Sequence, residues 1–360
     1  MKHFQIYSSV FLSLLLLPAV SPRSTEAVPY VFEIIADNKG PINSFGQATI
    51  NKSGIIAFGA SKDGGGGGYF IANGGSLTEI NARGTPPQIN DGGTIVFNAN
   101  NQSILTYTDG VTTTVADRAG IYSSLGVPSI NDSGTVVFQT TLDTGGEGIF
   151  VSRDGVVTEI VNTRGQFNSF GLFADINNSG TVVFTGTLDT GEQGIFTAYN
   201  GQVSTISSRN ASRVSINNEG TVAARIGDGS LFVSGSETNR FSDSFSNLIG
   251  APALNNGNSI AFQSGSALFI TDHLGNLESI VAPGDTIQNG ITMVGLAGEH
   301  DYPGWLNDRG QVAFWAYLSD GSEAMIVASR VPEPSSFLLL FSGSLLFLLP
   351  SLRRRLSSSR

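Results

Sequence analysis

The sequence predicts an all-β protein, a seven-bladed β-propeller whose blades are four-stranded antiparallel sheets. Three observations carry this prediction. One short pattern occurs seven times, the copies follow one another every ~40 residues, and each copy holds several short apolar segments separated by turn residues. Glycine accounts for 45 of the 360 residues and charged residues for only 13%. This composition is typical of proteins built from many short strands joined by tight turns.

The repeat is clearest in INDGGTIVF, INDSGTVVF and INNSGTVVF, which begin at Ile89, Ile130 and Ile176. Its anchors are seven asparagines, each preceded by Ile or Leu: Asn51, Asn90, Asn131, Asn177, Asn217, Asn255 and Asn307. Glycine stands three residues after the asparagine in every copy except the sixth, where Asn258 replaces it. Because asparagine is the commonest substitute for glycine at positive φ, the pattern predicts a left-handed turn there. We expect the seven asparagines to cap these turns with their side chains.

The strand that follows each turn is apolar on both faces. In the fourth copy, Val182 and Phe184 point to one side of the strand and Val183 to the other. An open antiparallel sheet usually leaves one face wet, so these strands need neighbours on both sides. Sheets stacked around a ring meet this need, and four strands in ~43 residues is the size of a propeller blade.

The seventh repeat lacks a fourth strand before the chain changes character at Val331. The segment VFEIIA at residues 31–36 is similar to LESIVA at residues 277–282, the fourth strand of the sixth repeat. We therefore expect residues 30 to 36 to pair as the outer strand of the last blade. This pairing would close the ring and remove an exposed sheet edge.

Residues 1–27 have the composition of a secretory signal peptide. Lys2 precedes an apolar run from Val10 to Val20, small residues follow, and cleavage is expected after Ala27. The apolar run is too short to span a bilayer, and a buried N-terminal helix is the alternative. The chain contains no cysteine. The exported protein must therefore rely on packing rather than on disulfides.

Residues 331–360 form a tail in three parts. A tripeptide comes first, then a 13-residue apolar segment from Phe337 to Leu349, then an arginine cluster. The residues of the two polar parts are Pro332, Glu333, Pro334, Arg353, Arg354 and Arg355. As a helix the apolar segment would reach ~20 Å against a hydrocarbon core of ~30 Å, which makes it a marginal span. The arginines would hold its end on the cytoplasmic side.

The order and spacing of these parts closely resemble the PEP-CTERM sorting signal of Gram-negative bacteria. The resemblance implies recognition by an exosortase and removal of the tail during export to the cell surface. Exosortase substrates usually occur in bacteria that make exopolysaccharide, which implies a polysaccharide-rich setting. An ordinary single-span anchor is the alternative. In both cases residues 28–330 lie outside the inner membrane and the protein meets the membrane only through the tail.

The repeats also resemble the NxxGxxAF tandem-repeat family of secreted bacterial proteins. The closest matches to that name are Ile56-Ala57-Phe58, Ile260-Ala261-Phe262 and Val312-Ala313-Phe314. The resemblance covers roughly residues 30 to 329. That family has no established activity, so the resemblance implies an architecture and an exported setting but no chemistry.

Charge narrows the range of partners. The formal net charge is −10, and it becomes −14 when the six cations and two acids of the two ends are removed. Such a surface disfavours nucleic acid and anionic lipid. The loops Asp143–Glu147 and Asp189–Glu192 could suggest calcium. Each offers only two carboxylates, however, and calcium takes six to eight oxygens, so we expect no metal and no cofactor.

The longest departure from the repeat runs from Pro283 to Trp305. It contains the candidate binding residues, which are Glu299, His300, Asp301, Tyr302 and Trp305. Such a group could support acid–base chemistry, or bind sugar through aromatic stacking and carboxylate hydrogen bonds. A surface loop with one packed tryptophan is the alternative.

No spacing of nucleophile, histidine and acid stands out, so no catalytic residue is assigned. The sequence favours a non-enzymatic exported protein of the cell surface or extracellular matrix, sorted by exosortase and binding exopolysaccharide or a surface protein. The alternative is a secreted carbohydrate-active hydrolase or lyase that uses the His300 loop.

Overall fold

The computed structural model describes residues 30–234, 248–271 and 276–331. Within these ranges the chain forms 29 β-strands and no helix. The strands build seven antiparallel sheets arranged as the blades of a β-propeller, as the sequence predicts. The predicted signal peptide, its cleavage site at Ala27 and the sorting residues from Pro332 to Arg355 lie outside the described residues.

Strand β1 Tyr30–Asp37 belongs to the last blade, and the first three blades follow it along the chain. Blade 1 contains β2 Ile42–Ile50, β3 Ile56–Lys62, β4 Gly67–Asn73 and β5 Ser76–Ile80. Blade 2 contains β6 Gln88–Ile89, β7 Ile95–Ala99, β8 Ser103–Thr108 and β9 Val111–Asp117. Blade 3 contains β10 Tyr122–Leu125, β11 Ser129–Ile130, β12 Val136–Leu142, β13 Glu147–Arg153 and β14 Val156–Asn162. Both β10 and β11 pair with β12, as two halves of one inner strand.

The remaining four blades repeat this order. Blade 4 contains β15 Phe167–Ile176, β16 Val182–Leu188, β17 Gln193–Tyr199 and β18 Gln202–Ser207. Blade 5 contains, within the described ranges, β19 Ala211–Ile216, β20 Val222–Ile226 and β21 Leu231–Val233. Blade 6 contains β22 Leu248–Leu254, β23 Ile260–Ser264, β24 Ala267–Thr271 and β25 Leu277–Val281. Blade 7 contains β26 Thr286–Gln288, β27 Ile291–Leu296, β28 Val312–Leu318 and β29 Glu323–Arg330, with β1 added at its outer edge.

The turn after each inner strand has the predicted left-handed residue. The six repeat glycines have φ between 73° and 85°, and Asn258 has φ 58°. A side chain with a Cβ rarely adopts this conformation, apart from asparagine and aspartate. Asn258, the one residue that replaces glycine in the repeat, therefore has the left-handed conformation that the substitution predicted.

The second strand of each blade forms the core and is covered on both faces. In blade 3, Val136, Val137 and Phe138 are each at most 1% exposed. Phe138 stacks on Phe150 of the next strand, with ring centroids 5.8 Å apart, and the same pair recurs in blades 1, 4 and 6. Val137 packs on the other face in one cluster with Phe184 of blade 4. The two-sided burial predicted from the sequence is confirmed.

The ring is closed by the N-terminal strand. Strand β1 pairs antiparallel with β29, so that Tyr30 lies opposite Arg330 and Phe32 opposite Ala328. The Tyr30 hydroxyl donates to a Glu278 carboxylate oxygen of blade 6 at 3.4 Å, and Arg330 lies 3.5 Å from the same oxygen. The predicted pairing of residues 30 to 36 with the last blade is confirmed.

The segment from Pro283 to Trp305 differs from the uninterrupted loop suggested by the sequence. Strands β26 and β27 form a hairpin within it, and β27 is the inner strand of blade 7. Only residues 297–305 leave the sheet before Leu306 pairs with Val312. The inner strands of blades 1, 4 and 6 carry irregularities at the same place, such as the register shift between Phe170 and Ala174 in blade 4. Blade 7 thus has an enlarged form of a bulge that other blades share.

Candidate functional site

The seven repeat asparagines form a closed ring around the propeller axis. The Nδ2 of each donates to the backbone oxygen of the asparagine in the next blade at 2.9–3.2 Å, and Asn307 completes the circle by donating to Asn51. Each Oδ1 accepts backbone N–H groups of its own turn, as Asn131 does from Ser133 and Thr135. The predicted turn caps are confirmed. The bonds between blades are a second role that the sequence did not reveal.

The residues that follow these asparagines form an outer ladder on the same end of the propeller. Six backbone N–H groups, from Lys52 to Asn256, donate to the side-chain Oδ1 of the corresponding residue in the next blade. Together the seven asparagines and the residues after them form what we call the asparagine face. It surrounds an axial depression of about 170 Å³. Small-molecule sites usually measure ~300–1,000 Å³, so this depression is smaller than a usual ligand pocket.

Residues 297–305 fill the channel behind this ring, and we call them the axial segment. They contact the inner strands of four other blades, on different sides of the ring, so the segment crosses the axis. The contacts are Gly304 O with Ile50 N of blade 1 (2.8 Å), Tyr302 with Phe173 of blade 4 (ring centroids 5.2 Å), Asp301 with Arg213 of blade 5 (3.1 Å) and His300 O with Ala251 N of blade 6 (2.6 Å).

A glycine in blade 6 makes one of these approaches possible. Gly250 has φ 73°, and a Cβ at this position would lie 2.3 Å from the backbone oxygen of His300. Any other residue would force the axial segment away from β22. The bulge of blade 6 and the insertion of blade 7 therefore fit each other.

His300 and Trp305 hold the axial segment in place. Each is 1% exposed. The His300 ring centroid lies 4.6 Å from that of Trp305 and 4.9 Å from that of Trp315, and its Nδ1 is 3.2 Å from the Gln263 side-chain oxygen. Burial lowers the pKa of His300 to about 3. The imidazole is therefore neutral at ordinary pH and closed to solvent.

Replacing His300 with glutamine is expected to make the free energy of unfolding fall less steeply as the pH drops from 7 to 5. The unfolded chain binds a proton at His300 near pH 6.5, whereas the folded chain does so only near pH 3. Stability from this group is thus fully present above pH 6.5 and is lost as pH falls below it. At ~1.4 kcal/mol per pH unit, the wild type should lose ~2 kcal/mol more than His300→Gln between pH 7 and pH 5. Urea unfolding at several pH values measures this difference, and parallel curves would contradict the burial of His300.

The other side of the axial segment forms a cluster of charged and aromatic side chains. The Arg213 guanidinium lies 4.1 Å from the centre of the Phe173 ring, and its Nη2 is 3.1 Å from Asp301 Oδ1. Tyr302 packs edge-on against the same phenylalanine. Burial, and secondarily the charge of Asp301, raise the pKa of Tyr302, so its hydroxyl stays protonated and can donate a hydrogen bond. We call Phe173, Arg213, Asp301 and Tyr302 the channel cluster.

The channel cluster lies deeper along the propeller axis than the asparagine ring. Phe173 and Arg213 each precede the asparagine of their blade by four residues, which places them ~13 Å along the inner strands. The Arg213 and Asp301 side chains are 22% and 32% exposed. Leu172, which precedes Phe173 in the chain, is 63% exposed. We call the end of the propeller opposite the asparagine face the loop face.

A partly buried carboxylate, Asp175, joins the inner strands behind the channel cluster. It accepts hydrogen bonds from the Ser129 hydroxyl at 2.6 Å and from the backbone N–H groups of Ile176 and Ile216 at 3.0 Å. Burial raises the pKa of Asp175, and these hydrogen bonds partly offset the rise. Since its donors come from blades 3, 4 and 5, Asp175 fixes the strands that carry Phe173 and Arg213.

Sequence reasoning singled out two of the residues in this arrangement and missed three. Asp301 and Tyr302 enter the channel cluster, His300 and Trp305 are buried supports, and Glu299 is exposed. Phe173, Asp175 and Arg213 were missed because they lie in regular strands. The sequence did contain one sign of Asp175, at the position two residues before each repeat asparagine. Asp175 is the one acid in a set that otherwise reads Thr49, Gln88, Ser129, Ser215, Ala253 and Trp305.

The acidic loops considered for calcium have structural partners. Glu147 accepts a hydrogen bond from the backbone N–H of Phe170 at 2.8 Å. Across residues 30–234, 248–271 and 276–331, no group of three or more histidine, cysteine, aspartate or glutamate side chains is placed to hold a metal ion. Nor do these residues include a helix of the length and apolarity needed to cross a bilayer.

Comparison with known proteins supports the fold and leaves the activity open. Residues 162–338 match a family of unknown function, DUF7453. No curated protein matches the chain. Among solved structures, oligogalacturonate lyase from Vibrio parahaemolyticus is similar, with a TM-score of 0.54 and 11% identity over 84% of this chain and 97% of that one.

Two further solved structures show the same architecture. A puromycin-hydrolyzing peptidase from Mycobacterium tuberculosis gives a TM-score of 0.55 at 13% identity, over 81% of this chain and 52% of that one. The extracellular domain of a one-component system from B. thetaiotaomicron gives 0.51 at 14% identity, over 84% and 40%. At such identities the likeness shows the propeller fold alone, and these proteins have different activities.

Proposed function

We propose that the protein is an exported, non-catalytic binding propeller that engages extracellular polysaccharide through its channel cluster. The observation that carries this proposal is the axial segment. It occupies the channel that an enzyme would use as a substrate pocket, and it leaves an aromatic and polar surface at the loop face. Recognition without turnover needs such a surface and no deep pocket.

The alternative, a hydrolase or lyase acting through the His300 loop, finds little support in the geometry. A general acid or base must reach the substrate within hydrogen-bond distance. His300 is 1% exposed, and Trp305 and Trp315 lie against its ring. Asp301, a partly exposed acid nearby, is paired with Arg213.

The chemistry of the channel cluster suits sugars. Phe173 and Tyr302 offer apolar surface, and sugar rings stack on such surfaces through their C–H faces. Arg213, Asp301 and the Tyr302 hydroxyl supply donors and acceptors for sugar hydroxyls. The Arg213–Asp301 pair is neutral as a unit and the chain carries a net charge of −10, so the cluster favours neutral sugars over strongly anionic ones.

The exported setting is supported by sequence features of the two chain ends. The signal peptide at residues 1–27 brings the chain across the inner membrane, and the tail at residues 331–360 carries the Pro-Glu-Pro segment that an exosortase would recognise. The protein then acts at the cell surface or in the extracellular matrix.

Binding to the organism's own exopolysaccharide tests this function. We expect residues 28–330 to be retained on the immobilised polymer and to release no soluble sugar. The double variant Arg213→Gln/Tyr302→Phe removes one charge and one hydroxyl, and we expect it to bind ~10-fold or more weakly, since each lost hydrogen bond to a ligand is worth ~1 kcal/mol or more. Tyr199→Phe is the matched control because Tyr199 is 49% exposed and lies outside the cluster. Release of sugar, or equal retention of both variants, would contradict the proposal.

A further inference from the structure

We infer that both chain ends leave the propeller at the asparagine face, so that the membrane-held protein turns its loop face and channel cluster away from the membrane. This inference rests on the proposed function, because it takes residues 331–360 as a membrane tail. It adds an orientation, which follows from strand register and from the length of the tether.

The register of blade 7 fixes the end at which the chain leaves. Strand β28 begins just after the asparagine turn, and its first residue, Val312, pairs with Ala328 near the end of β29. At the other end of the same pair of strands, Tyr317 lies opposite Glu323. Strand β29 therefore runs from the loop face to the asparagine face and ends there at Arg330.

The N-terminal end emerges at the same place. Tyr30, the first residue of β1, lies opposite Arg330. Both residues line a groove of about 520 Å³ together with Asp308 and Arg309, which belong to the asparagine turn of blade 7. The two chain ends and the asparagine face thus share one surface.

The tether is short enough to disfavour a propeller that has turned over. The apolar segment begins at Phe337, so only residues 331–336 separate it from Arg330. The seven Cα–Cα steps from Arg330 to Phe337 span at most ~25 Å when fully extended. The seven steps along β29 span ~23 Å between the two faces. The loop face can therefore reach the bilayer surface only if the whole tether is fully extended along the height of the blade, an arrangement that costs the tether nearly all of its conformational freedom.

The charge of the asparagine face agrees with a position near the membrane without adhesion to it. Its outer ladder carries Asp91, Asp132 and Asp308, and one cation, Lys52, which lies 3.1 Å from Asp91. Arg309 and Arg330 lie beside the ladder, so the charges of this surface nearly balance. Anionic headgroups do not attract such a surface strongly. The gap that remains would hold Pro332-Glu333-Pro334, where a membrane enzyme that recognises this tripeptide could reach it.

Two cysteine variants of one blade test the orientation, because the chain has no cysteine of its own. Ser53→Cys lies in the asparagine turn of blade 1 and Asp63→Cys at the opposite end of β3, and both positions are exposed. Each variant, as residues 28–360, is labelled with a donor dye and reconstituted into phosphatidylcholine vesicles that carry an acceptor on their headgroups. We expect energy transfer about twofold or more stronger from position 53, because the seven residues of β3 separate the two dyes by ~23 Å along the blade.

The outcomes separate this inference from the function on which it rests. Residues 28–330 serve as the control and should not sediment with the vesicles. If residues 28–360 sediment and both dyes transfer equally, or the dye at 63 transfers more, the orientation is wrong and the tail remains a membrane segment. If residues 28–360 fail to sediment, the membrane role of the tail is wrong and the inference falls with it.

Discussion

Removal of residues 28–36 is expected to abolish cooperative folding of the propeller or to lower its melting temperature by more than ~10 °C. In a chain of this size, each kcal/mol of lost stability lowers the melting temperature by ~2–4 °C. The deletion removes the pairing of β1 with β29 and the contact of Phe32 with Phe314, whose ring centroids are 6.4 Å apart. It also leaves β29 as an unpaired edge that invites aggregation. Thermal unfolding followed by circular dichroism measures the effect.

The matched control is Val31→Ala, a substitution in the same strand. Val31 is 56% exposed, so its truncation should change stability by less than ~0.5 kcal/mol. A synthetic peptide of residues 28–38, added to the deletion variant, should restore part of the lost stability because it can supply the missing strand. An unchanged melting temperature in the deletion variant would contradict closure by β1.

Replacing Asn177 with alanine is expected to lower the free energy of unfolding by ~3 kcal/mol, because it leaves buried polar groups on two blades without hydrogen-bond partners. Its Nδ2 donates to the backbone oxygen of Asn217 at 3.0 Å, and its Oδ1 accepts the N–H of Thr181 at 2.9 Å. Asn177 is 4% exposed, so water does not replace these bonds readily. Urea unfolding of residues 28–330 measures the change.

Asn178→Ala is the control for this substitution. Asn178 is the next residue and also bonds to neighbouring blades, but it is exposed. Exposed hydrogen bonds exchange with water at little cost, so we expect a loss below ~1 kcal/mol. Similar losses for the two variants would mean that the buried ring adds little to stability.

Most of the fold could be predicted because the same local sequence pattern recurs in every blade of the ring. Asn258 in place of glycine reports a backbone conformation at one turn, and the same turn occurs in every blade. Val182, Val183 and Phe184 report burial on two faces, which only stacked sheets provide. The similarity of residues 31–36 to residues 277–282 was enough to identify β1 as the missing fourth strand of the last blade.

The candidate site was harder to predict because its residues come together only after the ring has closed. Arg213 and Asp301 are 88 residues apart in the chain, and nothing local to either indicates the other. His300 stands among polar neighbours that suggest exposure, yet the rings of Trp305 and Trp315 bury it. The asparagine ring was missed for the same reason, since a bond from Asn307 to Asn51 requires the first and last blades to meet.

The distance between the ends of the closed ring tests the central claim most directly. Val31→Cys/Ser329→Cys places two spin labels on residues that lie opposite each other in β1 and β29. Double electron–electron resonance should then give a single narrow distribution below ~20 Å, since neighbouring strands are ~5 Å apart and the remainder is label length. A broad distribution, or one centred beyond ~40 Å, the width of two facing four-stranded blades, would show an open arc and contradict the propeller described above.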